Sequence, residues 1–212
     1  MNIVDQLKES GIVAVIRGAT KETIVPIGEA LSRGGVKALE ITLETPNALR
    51  VIEHATTTLG DKAIVGAGTV LDPETASPAI MAGSQFVFSP TVNVDTIKIT
   101  KRYGVLSIPG ALTPTEILTA YEHGADLIKV FPASAFGPRY LKDVHGPLPH
   151  IPLMPTGGLD LDNVGEYIKA GAVAAGIGSS LVNTKKAMDD AYFAELEHKA
   201  AQFVQAVQEA RV

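Results

Sequence analysis

The feature that most limits how this chain can fold is a short apolar run that recurs directly after a glycine. We interpret each glycine as the end of a helix and each run as a buried strand, which gives a repeated strand–helix unit. The leading glycines are Gly35, Gly60, Gly83, Gly104, Gly124 and Gly171. They are separated by 25, 23, 21, 20 and 47 residues, so the last interval is long enough for two units.

Two further apolar runs complete the series. The long interval contains the strand-like segment HIPLMPTGG, and a first strand is expected in IVAVIRG. The segments between the runs have helical spacing, and three of them start at Thr20, at Thr45–Pro46 and at Thr113–Pro114. The resulting eight units favour an α/β fold of the (β/α)8 TIM-barrel type, with residues 1–212 as a single domain.

An open, doubly wound sheet also alternates strands and helices, so it is the competing architecture. A dinucleotide-binding sheet places a GxGxxG turn after its first strand, whereas here that strand runs into IRGAT. Glycine-rich turns come instead after the seventh and eighth runs, as PTGG and GIGSS. Phosphate-binding turns at these late positions are typical of the barrel.

Composition argues against several function classes. The formal net charge of −5 and the pI near 5.5 argue against nucleic acid as a partner, because phosphate backbones require clustered Lys and Arg. No apolar run is long enough to span a bilayer and no export signal is visible, so we expect a cytoplasmic protein. The sequence has no cysteine and its five histidines lack metal-binding spacing, so we predict no metal site.

Reactive groups of a barrel lie at the C-terminal ends of its strands, which directs attention to Lys129 in DLIKVFPA. Apolar neighbours on both sides indicate that Lys129 is buried, and burial lowers the pKa of a lysine toward neutrality. The neutral amine is the nucleophile that adds to a ketone carbonyl, so we interpret Lys129 as a Schiff-base lysine. The alternative is a lysine that reaches the solvent or pairs with a neighbouring acid.

Glu40 occupies the same kind of position in KALEITLET, on the opposite strand face from Leu39 and Ile41. Close to Lys129, its carboxylate would move protons during carbinolamine and enamine formation. A structural Glu–Lys ion pair explains the same residue types equally well, and the residue types alone do not decide between the two.

Arg17 ends the first strand, and Thr69 follows the third strand in GAGTV. A guanidinium can hold a carboxylate through two parallel hydrogen bonds, and a hydroxyl beside a glycine-rich strand end can hold a carboxylate or keto oxygen. A salt bridge at the rim for Arg17 and a helix N-cap for Thr69 are equally compatible with the sequence.

The turns PTGG and GIGSS offer backbone amides beside a short helix predicted at SSLVN. One glycine-rich turn is a weak signal. Two of them at adjacent strand ends, next to a helix start, favour an anion site suited to a phosphate.

Eight segments together resemble a known family. In chain order they are VAVIR, LEIT, GAGTV, SP, IPGALTPTE, LIKVFPA, PTGG and GSSLV, between Ile12 and Val182. Their order and spacing resemble those of the class I aldolases for 2-keto-3-deoxy-6-phosphogluconate (KDPG) and 4-hydroxy-2-oxoglutarate (KHG). The resemblance implies an enzyme that reversibly cleaves KDPG to pyruvate and glyceraldehyde 3-phosphate, and also KHG to pyruvate and glyoxylate. It further implies a homotrimer without a cofactor, whose partners are the sugar acid and pyruvate rather than nucleic acid or membrane.

The resemblance also assigns roles to individual residues. It implies that Lys129 forms the Schiff base and that Glu40 shuttles protons. The implied substrate-binding residues are Arg17 and Thr69 at the pyruvate-side carboxylate, Pro90 and Phe131 beside the pyruvate, and Thr156, Gly157, Gly158, Gly178 and Ser179 at the distal phosphate.

The chain departs from the family pattern in three segments. Many members read LRT with the arginine binding the carboxylate, where this chain reads Leu43-Glu44-Thr45; Arg17 then takes over that role. The segment 134–140 resembles galactonate-type relatives, and SPTVN replaces the more usual SPG. The alternatives are therefore an aldolase for 2-keto-3-deoxy-6-phosphogalactonate or unphosphorylated 2-keto-3-deoxygluconate. More distant ones are a phosphate-binding barrel isomerase and a non-catalytic sugar-acid-binding barrel.

Overall fold

A computed structural model describes residues 3–212, so residues 1 and 2 of the predicted domain lie outside the described part. The helices are α1 (Ile3–Ser10), α2 (Lys21–Arg33), α3 (Ala48–Leu59), α4 (Pro73–Met81), α5 (Val94–Arg102), α6 (Pro114–Glu122), α7 (Arg139–His145), α8 (Val164–Lys169) and α9 (Asp190–Ala210). The strands are β1 (Ile12–Ile16), β2 (Ala38–Thr42), β3 (Ile64–Gly68), β4 (Phe86–Phe88), β5 (Leu106–Ile108), β6 (Gly110–Ala111), β7 (Ile128–Val130), β8 (Leu153–Pro155) and β9 (Ala175–Ile177). Within this described range, none of the helices combines the length and the apolar character needed to cross a membrane.

The six leading glycines all have positive φ, from 51° at Gly60 to 105° at Gly171. An L-residue with a side chain rarely adopts this conformation, whereas glycine adopts it without steric cost. Gly35, for example, follows the C-cap Gly34 of α2 and leads into β2. The prediction that these glycines end helices and lead into strands is confirmed.

The strands form two sheets whose pairs are parallel. One sheet has the order β5-β4-β3-β2-β1-β9, and the other has the order β6-β7-β8. A single residue, Pro109, separates β5 from β6. Because proline has no N–H to donate to a ladder, it interrupts what is otherwise one extended segment. With β5 and β6 taken together, the eight predicted strands are the strands observed.

Further hydrogen bonds join the two sheets on both flanks. On one flank, the N–H of Asp126, just before β7, donates to the carbonyl oxygen of Ser107 in β5 at 2.9 Å, and the N–H of Lys129 in β7 donates to that of Pro109 at 2.9 Å. On the other flank, Thr156, directly after β8, forms a parallel bridge with Gly176 of β9. The backbone of Lys129 is therefore held between neighbouring strands rather than in a free loop.

Strand side chains alternate between two apolar clusters, as the period of two requires. The larger cluster lies between strands and helices and includes Ile12 and Leu39. The smaller cluster lies on the other strand face; it includes Phe86 and also Leu7 of α1. The strands are thus buried on both faces, which explains their continuous apolar runs.

The smaller cluster also determines where polar strand residues lie. Ala38 and Leu127 belong to it, and Glu40 and Lys129 follow them by two residues along the chain. Side chains two residues apart share a strand face. Glu40 and Lys129 therefore lie on the same face as this apolar layer, one step toward the C-terminal ends of the strands.

The predicted helix starts are confirmed at Thr20 and Thr113, which are the N-caps of α2 and α6. The helix start predicted at Thr45–Pro46 is displaced. The observed helix α3 begins at Ala48, and its N-cap is Asn47. The hydroxyl of Thr45 instead accepts a hydrogen bond of 2.9 Å from the backbone that follows β1. Thr45 therefore joins the ends of β1 and β2 and does not cap the helix.

Close packing inside the smaller cluster predicts the cost of one added methyl group. A Cβ at Gly66 of β3 would overlap the ring of Phe86, which is fully buried. We expect Gly66→Ala to lower the free energy of unfolding by about 1–3 kcal/mol, as overpacked cores do. A matched control is Gly146→Ala, since a Cβ there makes ordinary contacts with the carbonyl oxygens of Asp143 at 3.4 Å and Lys142 at 4.0 Å. Urea titration of both variants tests the prediction, and equal midpoints would contradict it.

Candidate active site

Lys129, the middle residue of β7, is almost completely buried, with 4% of its surface exposed. Its Nζ lies 4.6 Å from the ring centroid of Phe88 and 4.7 Å from that of Phe131. Burial lowers the pKa of Lys129 from its ordinary value; the charge of Glu40 opposes this shift and that of Arg17 adds to it. The side chain therefore presents a neutral amine more readily than an exposed lysine does.

Glu40 lies in β2 with 1% of its surface exposed. Its carboxylate occupies the space above Gly68 of β3, where any Cβ would collide with it. Burial raises the pKa of Glu40, and the charges of Lys129 and Arg17 oppose that rise. The carboxyl group can therefore hold a proton at a higher pH than an exposed glutamate can.

The structural Glu–Lys ion pair considered from the sequence is not formed. Neither carboxylate oxygen of Glu40 has a hydrogen-bond partner among residues 3–212, although both oxygens are buried. Glu40 and Lys129 nevertheless affect each other's pKa, so they lie within electrostatic range. Buried polar groups without partners are costly and infrequent, and they are found at sites that bind a ligand or perform chemistry.

A cavity of about 360 Å³ opens above Lys129. Eight of the predicted site residues line it: Arg17, Lys129, Phe131, Thr156, Gly157, Gly158, Gly178 and Ser179. Glu40, Thr69 and Pro90 are not among the lining residues. Most of the residues singled out from scattered segments are thus brought to one opening.

Arg17 lies in the segment that follows β1, where its Nη1 donates to the carboxylate of Glu44. Both side chains are partly exposed, with 59% of Arg17 and 45% of Glu44 accessible. The hydroxyl of Thr184 donates to the carbonyl oxygen of Arg17 at 2.6 Å and holds its backbone. Arg17 therefore both lines the cavity and forms the salt bridge that the sequence offered as an alternative.

Thr69 and Pro90 follow β3 and β4 and are half-buried. Thr69 has a φ of 56°, a conformation that a β-branched residue seldom adopts. The N-cap of α4 is Asp72, which accepts a hydrogen bond of 2.7 Å from the N–H of Thr75. The interpretation of Thr69 as a helix cap is therefore wrong, and its function as a ligand-binding residue stays a prediction.

The turns after β8 and β9 form the other end of the cavity. The backbone N–H groups of Gly158, Gly178 and Ser179 have no acceptor among the described residues. The Oγ1 of Thr156 is buried and likewise lacks a partner within residues 3–212. These groups face a cavity and are free to bind substrate oxygens.

The short helix predicted at SSLVN is wrong. The N–H groups of Leu181 and Val182 both donate to the carbonyl oxygen of Gly178, at 2.9 and 3.0 Å, and the segment forms a turn without a helix. The hydroxyl of Ser180 donates to the carbonyl oxygen of Leu159 at 2.6 Å, which ties this turn to the one after β8. Individual amides, rather than a helix N-terminus, are thus available to an anion.

Sequence reasoning missed Phe88 and Asp160. Phe88 contributes the ring below Lys129, although its apolar strand position only indicated core packing. Asp160 lines the cavity directly after the PTGGL segment, where its Oδ1 accepts a hydrogen bond from the backbone of Asp162. Within the described residues, no group of three or more His, Cys, Asp or Glu is placed to hold a metal ion.

The sequence and the fold of this chain are similar to those of known proteins. The family model for KDPG and KHG aldolases matches residues 3–197. A 2-dehydro-3-deoxy-6-phosphogalactonate aldolase of Escherichia coli is 36% identical over 200 residues, which cover 94% of this chain and 95% of that protein. A 2-dehydro-3-deoxy-phosphogluconate aldolase of Pseudomonas aeruginosa is 36% identical over 191 residues, covering 90% of this chain and 86% of that protein.

A solved structure is similar over nearly the whole chain. It is a KDPG aldolase of Legionella pneumophila with pyruvate captured at low pH as a covalent carbinolamine intermediate. The two proteins are 28% identical with a TM-score of 0.86, and the match covers 95% of this chain and 97% of that one.

Proposed function

Because the chain belongs to the KDPG and KHG aldolase family, we propose that Lys129 is the amine through which it makes and breaks a carbon–carbon bond. The enzyme is a class I aldolase, a lyase that reversibly cleaves a 2-keto-3-deoxy-6-phospho sugar acid to pyruvate and glyceraldehyde 3-phosphate. The observation that carries the role of Lys129 is its buried amine at the cavity, within electrostatic range of Glu40, whose oxygens have no hydrogen-bond partner within residues 3–212. Family membership favours this activity over the isomerase and the non-catalytic barrel.

In the proposed reaction, the neutral amine of Lys129 adds to the C2 ketone of the sugar acid. The carbinolamine loses water and becomes an imine. The C4 hydroxyl then loses its proton, and the C3–C4 bond breaks with its electron pair entering the imine as an enamine. The aldehyde leaves, C3 of the enamine takes up a proton, and hydrolysis releases pyruvate and returns the amine to Lys129.

Glu40 is proposed to move the protons of these steps. Its two oxygens lack hydrogen-bond partners among residues 3–212, so they are proposed to remain available to the substrate and to water. Its raised pKa brings proton uptake and release closer to neutral pH, where general acid–base catalysis is most efficient. One carboxyl group can then donate a proton in dehydration and accept one in bond cleavage.

The remaining predicted residues are proposed to hold the substrate. Arg17 has guanidinium N–H groups beyond the one that Glu44 occupies, and these can bind the pyruvate-side carboxylate together with the Thr69 hydroxyl. Phe131, which lines the cavity, and Pro90 are proposed to border the pyruvate at the same end. The distal phosphate is assigned to Thr156, Gly157, Gly158, Gly178 and Ser179, supported by the unpaired N–H and hydroxyl groups at this end of the cavity.

We also infer that the eight strands close into a (β/α)8 barrel and that residues 1–212 form one domain. Support comes from the hydrogen bond between Asp126 and Ser107 of β5 and from the bridge between Thr156 and Gly176, which link the two sheets on opposite flanks. The homotrimer and the cytoplasmic location expected from the sequence stay predictions.

The test of the proposed chemistry is reductive trapping. Incubation of the protein with pyruvate and borohydride is expected to add one reduced pyruvate to Lys129, because borohydride reduces the imine to a stable secondary amine. Peptide mass spectrometry locates the adduct. Borohydride treatment without pyruvate is the control, and failure of pyruvate to label Lys129 would contradict the proposal.

The preferred sugar acid is then identified by turnover. The panel consists of the phosphorylated gluconate and galactonate acids, the unphosphorylated gluconate acid, and 4-hydroxy-2-oxoglutarate. We expect kcat/KM to be higher for the phosphorylated acids, because free backbone amides of the distal end favour an anion. Equal values with and without phosphate would argue against the distal site.

A further inference from the structure

Arg17 and Glu44 form an ion pair at the mouth of the cavity. Only Nη1 of the guanidinium contacts Glu44, and the other guanidinium N–H groups have no acceptor within residues 3–212. We propose that Glu44 is an internal counter-ion that weakens the hold of Arg17 on the carboxylate of the keto acid and so sets the affinity of the site. This inference rests on the proposed binding role of Arg17.

Arg17 is the source of positive charge at this site. The described residues that line the cavity include two basic side chains, Arg17 and Lys129. Burial lowers the pKa of Lys129 and favours its neutral amine, whereas a guanidinium stays charged. A carboxylate beside Arg17 therefore offsets the charge on which an anionic substrate depends, and Asp160 contributes a second acid to the cavity wall.

Because both side chains of the pair are exposed, its effect on substrate binding should be modest, and the contact between them can break and form again. With 59% of Arg17 and 45% of Glu44 accessible, the pair is a surface salt bridge, and solvent screening keeps its contribution small. A substrate carboxylate can bind the free N–H groups while Glu44 stays in place, but the two carboxylates then repel each other. Removing the charge of Glu44 while keeping an oxygen acceptor should therefore strengthen binding.

The discriminating variant is Glu44→Gln, whose amide oxygen can still accept from Nη1. The measured quantity is the pyruvate concentration that gives half-maximal borohydride labelling of Lys129. We expect it to fall about twofold to fivefold at low ionic strength. The difference should vanish near 1 M salt, where the Debye length is about 3 Å. Uncharged pyruvamide should label wild type and variant at the same concentration, because it brings no carboxylate to Arg17.

A matched control is Glu29→Gln. Glu29 pairs with Lys62 in another exposed salt bridge, with 41% and 63% of the side chains accessible, and it does not line the cavity. The Glu29→Gln variant changes the net charge by the same amount as Glu44→Gln. It should leave the pyruvate concentration for half-maximal labelling unaltered. If Glu44→Gln needs the same pyruvate concentration for half-maximal labelling as the wild type, the inference is overturned. If it needs a higher concentration, the inference is overturned in favour of an orienting role for Glu44. Absence of labelling in the wild type would instead overturn the proposed function.

Discussion

A Lys129→Met variant is expected to lose about 10⁴-fold or more in kcat/KM for cleavage, together with all labelling by pyruvate and borohydride. Methionine has no amine to form the imine, and the residual cavity cannot replace a covalent intermediate with binding alone. The change should not unfold the protein, because an apolar side chain of similar length replaces a buried, unpaired amine beside Phe88 and Phe131. Kinetics, labelling and a urea titration together test this prediction.

Lys142→Met serves as the matched control. Lys142 is an exposed residue of α7 and does not line the cavity. Its replacement should leave turnover and labelling within about twofold of the wild type, as surface substitutions usually do. If Lys129→Met were still labelled at another lysine and still turned over the substrate, Lys129 would not be the residue that forms the imine.

The Glu40→Gln variant is expected to fold and to lose about 10²- to 10⁴-fold in kcat, the contribution typical of a general acid–base group. Glutamine fits above Gly68 as the carboxyl group does but cannot take up or release a proton. Labelling by pyruvate should persist at a reduced rate, since the amine of Lys129 is still present. An exposed acid of α3, Glu53, provides the control as Glu53→Gln. A kcat within threefold of the wild type for Glu40→Gln would remove Glu40 from the mechanism.

The same variant gives a directional result in pH profiles. Burial lowers the pKa of Lys129, while the negative charge of Glu40 opposes that decrease. Glutamine removes the opposing charge, so the pKa of Lys129 should fall further. Because labelling requires the neutral amine, its rate rises with pH through the pKa of Lys129. This rise should occur at lower pH in Glu40→Gln than in the wild type, and a shift to higher pH would contradict the coupling.

Periodic features of the sequence predicted the fold well. Glycine positions that require positive φ and apolar runs of strand length are local signals, so Gly35 and its five counterparts located the helix ends directly. The period of two along each strand then placed Glu40 and Lys129 on the same face. Their burial was predictable for the same reason, because a polar residue within an apolar run shares the environment of that run.

Contacts between separate turns were not predictable in this way. The pairing of Arg17 with Glu44 depends on how the segments after β1 and β2 approach each other, and no local pattern encodes that approach. Threonine is a residue type typical of a helix N-cap, yet the Thr45 hydroxyl instead accepts a hydrogen bond from the backbone N–H of Gly18, after β1. Asp160 lines the cavity two residues after Gly158, which has positive φ, and no local pattern marks it as a lining residue. Such outcomes depend on tertiary packing, which overrides local preference.

The location of Lys129 and Glu40 on strands, and of Arg17, Gly158 and Ser179 on the connecting segments, has a consequence for protein engineering. Strand residues are held by neighbours on both sides, whereas connecting segments tolerate sequence variation. Libraries that randomise the turns after β8 and β9 can therefore explore new acceptor aldehydes while Lys129 and Glu40, the proposed catalytic pair, stay in place. During evolution, changes in these connecting segments can likewise alter the substrate range while the residues on the strands are retained.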